Sequence, residues 1–411
     1  MRFNTALLHG DFRGDKKTGA TQTPVYQSSA FEHVSAETLE KIFNNKAPGF
    51  SYSRISNPTV DAFERRMTAL EGGIASVSCA SGMAAITNAF TNILRSGDEI
   101  VCSASLYGGS IDLFRDLENF GIKTHYVENN NIEQFEAATN DNTRLYFAET
   151  IGNPRLDVTD IKLLSETAHK AGVPLIVDNT VATAYLIKPI EYGADIVVNS
   201  TSKYVNGNSN SISGVITDSG NFKWDSVKYP GMKEYAKFGP YAYTAKLRNG
   251  IYRNTGACLS PQNAFYNILG IETLGLRMER ITDNALKLAE YLDTNYSFLN
   301  VNYPGLKSSE FHAIADKELN NGYGGIITIR TGSKENAFKF INALKLPLNV
   351  SNIGDTKTLV IHPGSTISAH STEEEKKIAG VFDDLVRISV GIEDIEDLIE
   401  DFTQAVEFIQ Q

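Results

Sequence analysis

Hydrophobic and polar positions divide the chain into three stretches. Residues 1–58 scatter Gly, Pro, Ser and aromatic side chains without a sustained period, the pattern of an arm that takes its burial from elsewhere, such as a partner subunit. From 59 to about 217, short apolar runs alternate with amphipathic stretches. VDAFERRMTALEGG has helical spacing and stops at a glycine pair, ASVSCA reads as a strand, and SGMAAITNAFTNIL as a helix opening on a serine. EIVCSA, IKTHYVE, RLYFAET, PLIVDNT and DIVVNST are predicted strands, with ISGVITD as a further one. IDLFRDLENFG and LLSETAHKAG are predicted helices. Several strands are nearly continuous apolar runs, which fits a sheet covered on both faces. Strand and helix in alternation, with short links, predict right-handed βαβ units and a parallel sheet.

Beyond about residue 255 the rhythm changes. Residues 261–294 are largely helical in pattern, including LRMERITDNALKLAEYL, and GGIITIRT, TLVIHP and VRISVG predict strands of a smaller unit. IEDIEDLIEDFTQAVEFI puts Ile392, Ile395, Leu398, Ile399 and Phe402 on one stripe, with its acids as a solvated face. The expected class is α/β: a large, mostly parallel-sheet domain plus a smaller C-terminal α+β domain. The expected boundaries are an arm over 1–58, a large domain over 59–260 and a C-terminal domain over 261–411.

Composition narrows the function classes. The 411 residues hold 38 Lys and Arg against 49 Asp and Glu, a net charge of −11. That balance lacks the positive field of a nucleic-acid or anionic-membrane binder. No run is long and apolar enough to span a bilayer, and MRFNTALLHGDF lacks the apolar core of a secretory leader, so a cytoplasmic protein is expected. Cys79, Cys102 and Cys258 are odd in number and widely spaced, which points to neither a disulfide framework nor a thiolate zinc site. The seven His form no H-E-x-x-H, no G-x-G-x-x-G follows the first strand, and no G-x-x-x-x-G-K-[ST] is present. Metal, nicotinamide and P-loop chemistry are not expected.

Three features at predicted strand ends point elsewhere. Ser81-Gly82-Met83 opens a helix after a strand, so free backbone N–H groups there suit an anion such as phosphate. Asp178 ends the buried strand PLIVD, at the edge where α/β sheets place ligands. Ser200, Ser202 and Lys203 follow the next strand. Each feature alone reads as a cap, a turn acid or a solvated lysine. Pyridoxal phosphate uses all three: a lysine for a Schiff base, a carboxylate to keep its ring nitrogen protonated, and an anion pocket.

At these residues the chain resembles the Cys/Met-metabolism family of pyridoxal-phosphate enzymes, which includes cystathionine synthases and lyases, methionine γ-lyase and O-acetylhomoserine sulfhydrylase. The resemblance runs from about residue 5 to 408 through YSRISNPT (with Tyr52-Ser53-Arg54), SGM, LYGGS at 106–110, NP at 153–154, VDNT at 177–180 and STSK at 200–203. It implies the fold-type I, aminotransferase-like architecture and a homotetramer of dimers with shared active sites. By the same resemblance, Lys203 would hold the cofactor as a Schiff base and shuttle protons, and Asp178 would pair with the pyridinium nitrogen. Tyr107 would stack on the ring and, as a catalytic residue, help remove or return protons, and Gly82, Met83, Ser200 and Ser202 would contact the phosphate. Tyr52 and Arg54 would reach that phosphate from a neighbouring subunit, Tyr52 also lining the substrate site. Asn153 would lie near the ring hydroxyl. Arg387 would clamp the substrate α-carboxylate, with Asn352 beside it.

Within the family, ETIGNP, DSGNFKW, NIGDTKTLVIHPGST and LVRISVGIEDIEDLIEDF follow the O-acetylhomoserine sulfhydrylase branch, and Gly109 stands where methionine γ-lyases usually carry Cys. The branch implies a transferase of methionine biosynthesis that puts sulfide in place of the acetoxy group of O-acetyl-L-homoserine. A methionine or homocysteine γ-lyase, a cystathionine γ-synthase-like transferase and a non-enzymatic binding protein are the other readings. Two departures stand out: Asn206-Gly207-Asn208-Ser209 replaces a Gly-Gly-His-Gly stretch, and Ser368 replaces a histidine. Both are expected at the substrate channel.

Overall fold

The computed structural model describes residues 1–10, 14–15, 18–369 and 371–410. Seven strands form the larger sheet: β1 (Ala75–Cys79), β2 (Glu99–Ser103), β3 (Lys123–Val127), β4 (Thr143–Glu149), β5 (Leu175–Asp178), β6 (Ile196–Asn199) and β7 (Gly214–Asp218). Their order is β1-β7-β6-β5-β4-β2-β3. The pairs among β3, β2, β4, β5 and β6 are parallel, as expected of βαβ units. The sheet is thus mostly parallel, as expected, with β7 antiparallel to both β6 and β1. The physical reason is the link: the chain from Asn199 to Gly214 carries no helix, and a parallel return needs a crossover.

The apolar runs bury both faces. Val101, Tyr146, Val177, Val197 and Val215 face one core, while Ile100, Phe147, Ile176, Val198 and Ile216 face the other. Alternate residues of each strand therefore lie in different cores, which is why no polar face interrupts the runs.

Local signals set the helices that frame the site. The helix Pro58–Glu71 starts on Asn57, whose side chain accepts from the Thr59 N–H, and ends at Gly72 with φ 77°. The helix Gly82–Thr91 starts on Ser81, whose hydroxyl accepts from the Ala84 N–H at 3.0 Å.

The smaller sheet comprises β8 (Ile326–Arg330), β9 (Leu348–Asn349), β10 (Leu359–Ile361) and β11 (Leu385–Ser389), ordered β8-β11-β10-β9. The helix Leu274–Asn295 serves both units: Leu274, Met278 and Ile281 join the large core, and Ala285, Leu288 and Leu292 the C-terminal one. The last helix, Ile395–Gln410, buries Ile395, Leu398 and Phe402, with Ile399 partly buried. Ile392 departs from the expected stripe: it precedes the helix and is exposed.

The first stretch is part anchored. The helix Phe3–His9 buries Leu7 in the large core, and Phe3 meets Tyr185 edge-on at 5.5 Å. The helix Ala36–Phe43 buries none of its residues, and Val34, Leu39, Phe43 and Tyr52 are exposed. Among the described residues, no helix is long and apolar enough to cross a membrane.

Candidate active site

The carboxyl ends of β4, β5 and β6 open into a cleft of about 410 Å³. Its walls include Gly82, Met83, Tyr107, Asn153, Asp178, Ser200, Ser202, Lys203, Asn352 and Arg387. Ten of the twelve sequence-predicted residues thus meet in one place. The other two, Tyr52 and Arg54, lie outside it: Arg54 donates to the Arg253 carbonyl at 2.6 Å, and its guanidinium sits 5.5 Å from the Tyr52 ring centre.

At the anion end, Gly82 lies against Ser200. A Cβ at Gly82 would fall 2.5 Å from the Ser200 Cβ, so only glycine lets the helix start come this close. The first N–H groups of that helix have no preceding turn to bond. The Ser202 hydroxyl donates to the Ser213 carbonyl at 3.0 Å and accepts from the Ser213 N–H at 2.8 Å.

At the acid end, Asp178 is half-buried at the end of β5, and its Oδ1 accepts from the Thr180 N–H at 2.9 Å. Burial pushes its carboxyl up to about 6, opposed by the hydrogen bonds of Thr180. Directly opposite on β4 stands Glu149. Its Oε1 accepts from the Tyr107 N–H at 2.6 Å, which ties the strand end to the loop before the helix Gly108–Glu118. Burial, then the charge of Asp178, drive the Glu149 carboxyl well above the usual range. Both effects work against a charge on Glu149.

At the basic end, Lys203 Nζ donates to Asn352 Oδ1 at 2.6 Å. Burial lowers its pKa to about 8, with the charge of Arg387 adding to the effect. Arg387, on β11, donates from Nη1 to Asn153 Oδ1 and from Nη2 to the Asn352 carbonyl, both at 3.1 Å. Its Nε is buried and has no partner among the described residues. Burial pulls the Arg387 guanidinium down to about 10. A buried cation with a spare N–H, facing a cleft, suits an incoming carboxylate.

The departures are placed as follows. Ser209 lines the cleft; Asn206 is buried behind it, with Nδ2 donating to Asn210 Oδ1 at 2.9 Å. Ser368 is buried beside the cleft residue Ile367 but does not line it. Glu149, Thr180 and Ser211 also line the cleft and were not singled out from sequence. Glu149 carries the same signal as Asp178, an acid closing a buried apolar strand.

Residues 4–407 match the family described as Cys/Met metabolism PLP-dependent enzyme. The chain belongs to this family. O-acetyl-L-homoserine sulfhydrylase of Corynebacterium glutamicum is 43% identical, with 97% of this chain and 95% of that one covered. Homocysteine synthase of Schizosaccharomyces pombe is 40% identical, with 98% of each covered. A solved Campylobacter jejuni structure carrying N'-pyridoxyl-lysine-5'-monophosphate superposes with a TM-score of 0.94 at 32% identity, over 99% of this chain and 100% of that one. The Cys/Met metabolism enzymes depend on pyridoxal phosphate, and this cleft fits that group. An amine, a half-buried acid able to ionise, a helix start closed by glycine on serine, and a buried guanidinium all line one space.

Proposed function

We propose that the protein replaces the γ-acetoxy group of O-acetyl-L-homoserine with sulfide, giving L-homocysteine and acetate. The carrying observation is that Lys203, Asp178, Tyr107 and Arg387 share one cleft. Relatives that match nearly end to end and bear names of this reaction add support.

Bound pyridoxal phosphate supplies an electron sink for the pairs left on Cα and Cβ when their protons depart. Lys203 would carry it, Asp178 would hold the proton on its ring nitrogen, and Tyr107 would cover the ring. Asn153 would sit beside the ring hydroxyl. Gly82, Met83, Ser200 and Ser202 would receive its phosphate, with Tyr52 and Arg54 of a neighbouring copy completing the pocket. The exposed Val34, Leu39 and Phe43 favour such a shared assembly, a homotetramer of dimers.

Arg387 fixes the substrate α-carboxylate with Asn352 beside it, which supplies orientation for the proton steps. The freed Lys203 amine would take the α-proton on Nζ, hand it on to the bound group, and then take a β-proton, the protons returning to Cβ and Cα once sulfide has added at Cγ. With a pKa near 8, an appreciable fraction is basic close to neutrality. Acetate leaves from Cγ as a stable anion, so that step needs little acid help, and sulfide adds at the same carbon. The setting is methionine biosynthesis in the cytoplasm.

The test is product identification. The purified protein is given O-acetylhomoserine, O-succinylhomoserine or methionine, each with and without sulfide or cysteine. Homocysteine and acetate from O-acetylhomoserine plus sulfide are expected. Release of 2-oxobutyrate as the main product under excess sulfide would favour the γ-lyase reading, and cystathionine from cysteine the synthase reading.

A further inference from the structure

Ser209 stands at the mouth of the cleft with φ +52°, a backbone conformation that disfavours any residue with a Cβ. Strain of this kind persists where the side chain is held by its surroundings. The Ser209 hydroxyl donates to Asp355 Oδ2 and accepts from Asn352 Nδ2 at 2.9 Å. Asn352 Oδ1 in turn accepts from Lys203 Nζ at 2.6 Å. Four side chains form one directed file from Asp355 to Lys203.

The direction follows from its ends. A carboxylate only accepts and an ammonium only donates. Asp355 therefore takes the single Ser209 proton, and Ser209 must accept from the Asn352 NH₂. The Asn352 oxygen is left facing Lys203. Asp355 is kept ionised: burial raises its carboxyl, but hydrogen bonds from Ser209 and Lys357 outweigh this and lower it overall.

We infer that Asp355 and Ser209 are positioning residues that fix the orientation of the Asn352 amide, so that the Lys203 amine always meets an acceptor rather than an NH₂. This rests on the reading of Lys203 as the reacting amine. An acceptor there stabilises the protonated amine, whereas a turned amide aims partial positive charge at it. Other charged or titratable groups facing the same space are Arg387 from β11, Asp178 and Glu149 from β5 and β4, and Tyr107 before its helix. None of these touches the Asn352 NH₂ among the described residues.

The test uses Ser209→Gly, which removes the hydroxyl while suiting the positive φ, and Asp355→Asn, which removes the accept-only end. The readout is the pH dependence of trinitrobenzenesulfonate labelling of Lys203 in the cofactor-free protein, followed by mass spectrometry of the peptide. Both variants are expected to label Lys203 about threefold faster at pH 7, as a downward pKa shift demands. In the loaded enzyme the acid limb of kcat should move to lower pH, with KM for the amino acid little changed. Unchanged or slower labelling in Ser209→Gly with an unmoved kcat profile would overturn the inference. Turnover retained by Lys203→Ala would instead overturn the reading of the site, and the two failures are distinct.

Discussion

Glu149 and Asp178 stand opposite each other at the carboxyl ends of neighbouring parallel strands, and burial disfavours two charges there. Glu149 accepts from the Tyr107 N–H, and burial together with the charge of Asp178 raises its carboxyl, which favours its neutral form. Glu149→Gln preserves both the neutral charge and a carbonyl acceptor. It should leave kcat within about threefold of the parent, whereas Glu149→Ala, which strands a backbone donor, should lower kcat about tenfold or more. Equal damage from the two substitutions would contradict a neutral Glu149.

Asp178→Ala should lower kcat by about a hundredfold or more, because it removes the charge that keeps the ring nitrogen protonated. Cofactor affinity, measured by titrating absorbance, should fall far less. Matching losses in affinity and turnover would reduce Asp178 to a binding contact.

Arg387→Ala should raise KM for the amino acid about tenfold to a hundredfold while leaving the absorption of bound cofactor unchanged. It should also remove a repelling charge from Lys203, whose pKa is lowered first by burial and then by Arg387. The acid limb of the kcat profile should accordingly move to higher pH. An altered cofactor spectrum would mean that Arg387 touches the cofactor instead.

Behind the cleft, Glu71 is fully buried, with Oε1 accepting from Asn199 Nδ2 at 2.8 Å and Oε2 from Asn179 Nδ2 at 3.3 Å. Burial pushes its carboxyl up to about 7 against those hydrogen bonds. Its folded pKa lies above the unfolded one, so its contribution to stability is complete below about 4.5 and is lost as pH rises through about 7. Glu71→Gln should narrow the gap between the melting temperatures at pH 5 and pH 8. A gap as wide as the parent's would show that Glu71 does not titrate in this range.

Mixed assemblies test the shared site. Neither Lys203→Ala nor a double Tyr52→Phe, Arg54→Ala variant should be active alone. Co-expression should restore turnover, since some sites then draw intact halves from both chains. No recovery from co-purified mixed oligomers would place Tyr52 and Arg54 in another role.

Much of this was legible because strand ends betray themselves. Asp178 and Lys203 each follow an apolar run too short for a helix, and the sheet places those ends together. Glu149 was missed although the strand within RLYFAET ends on an acid just as PLIVD does. The reversal of β7 was not legible: an apolar run has no direction, and only the helix-free link after Asn199 hints at it. Ile392 matched the helical stripe by spacing alone, but the helix begins three residues later, at Ile395. In the first stretch, Phe3 and Leu7 find partners in their own chain, a tertiary event that local pattern does not encode. The Ser209 file was invisible for the same reason, since Asp355 and Asn352 come from a distant segment.

The most direct measurement is borohydride reduction of the purified protein loaded with pyridoxal phosphate, followed by peptide mapping. The account predicts one stoichiometric pyridoxyl group, carried by the peptide containing Lys203, and a Lys203→Ala protein that takes up none. A pyridoxyl group fixed on any other lysine, or full retention in Lys203→Ala, would contradict it.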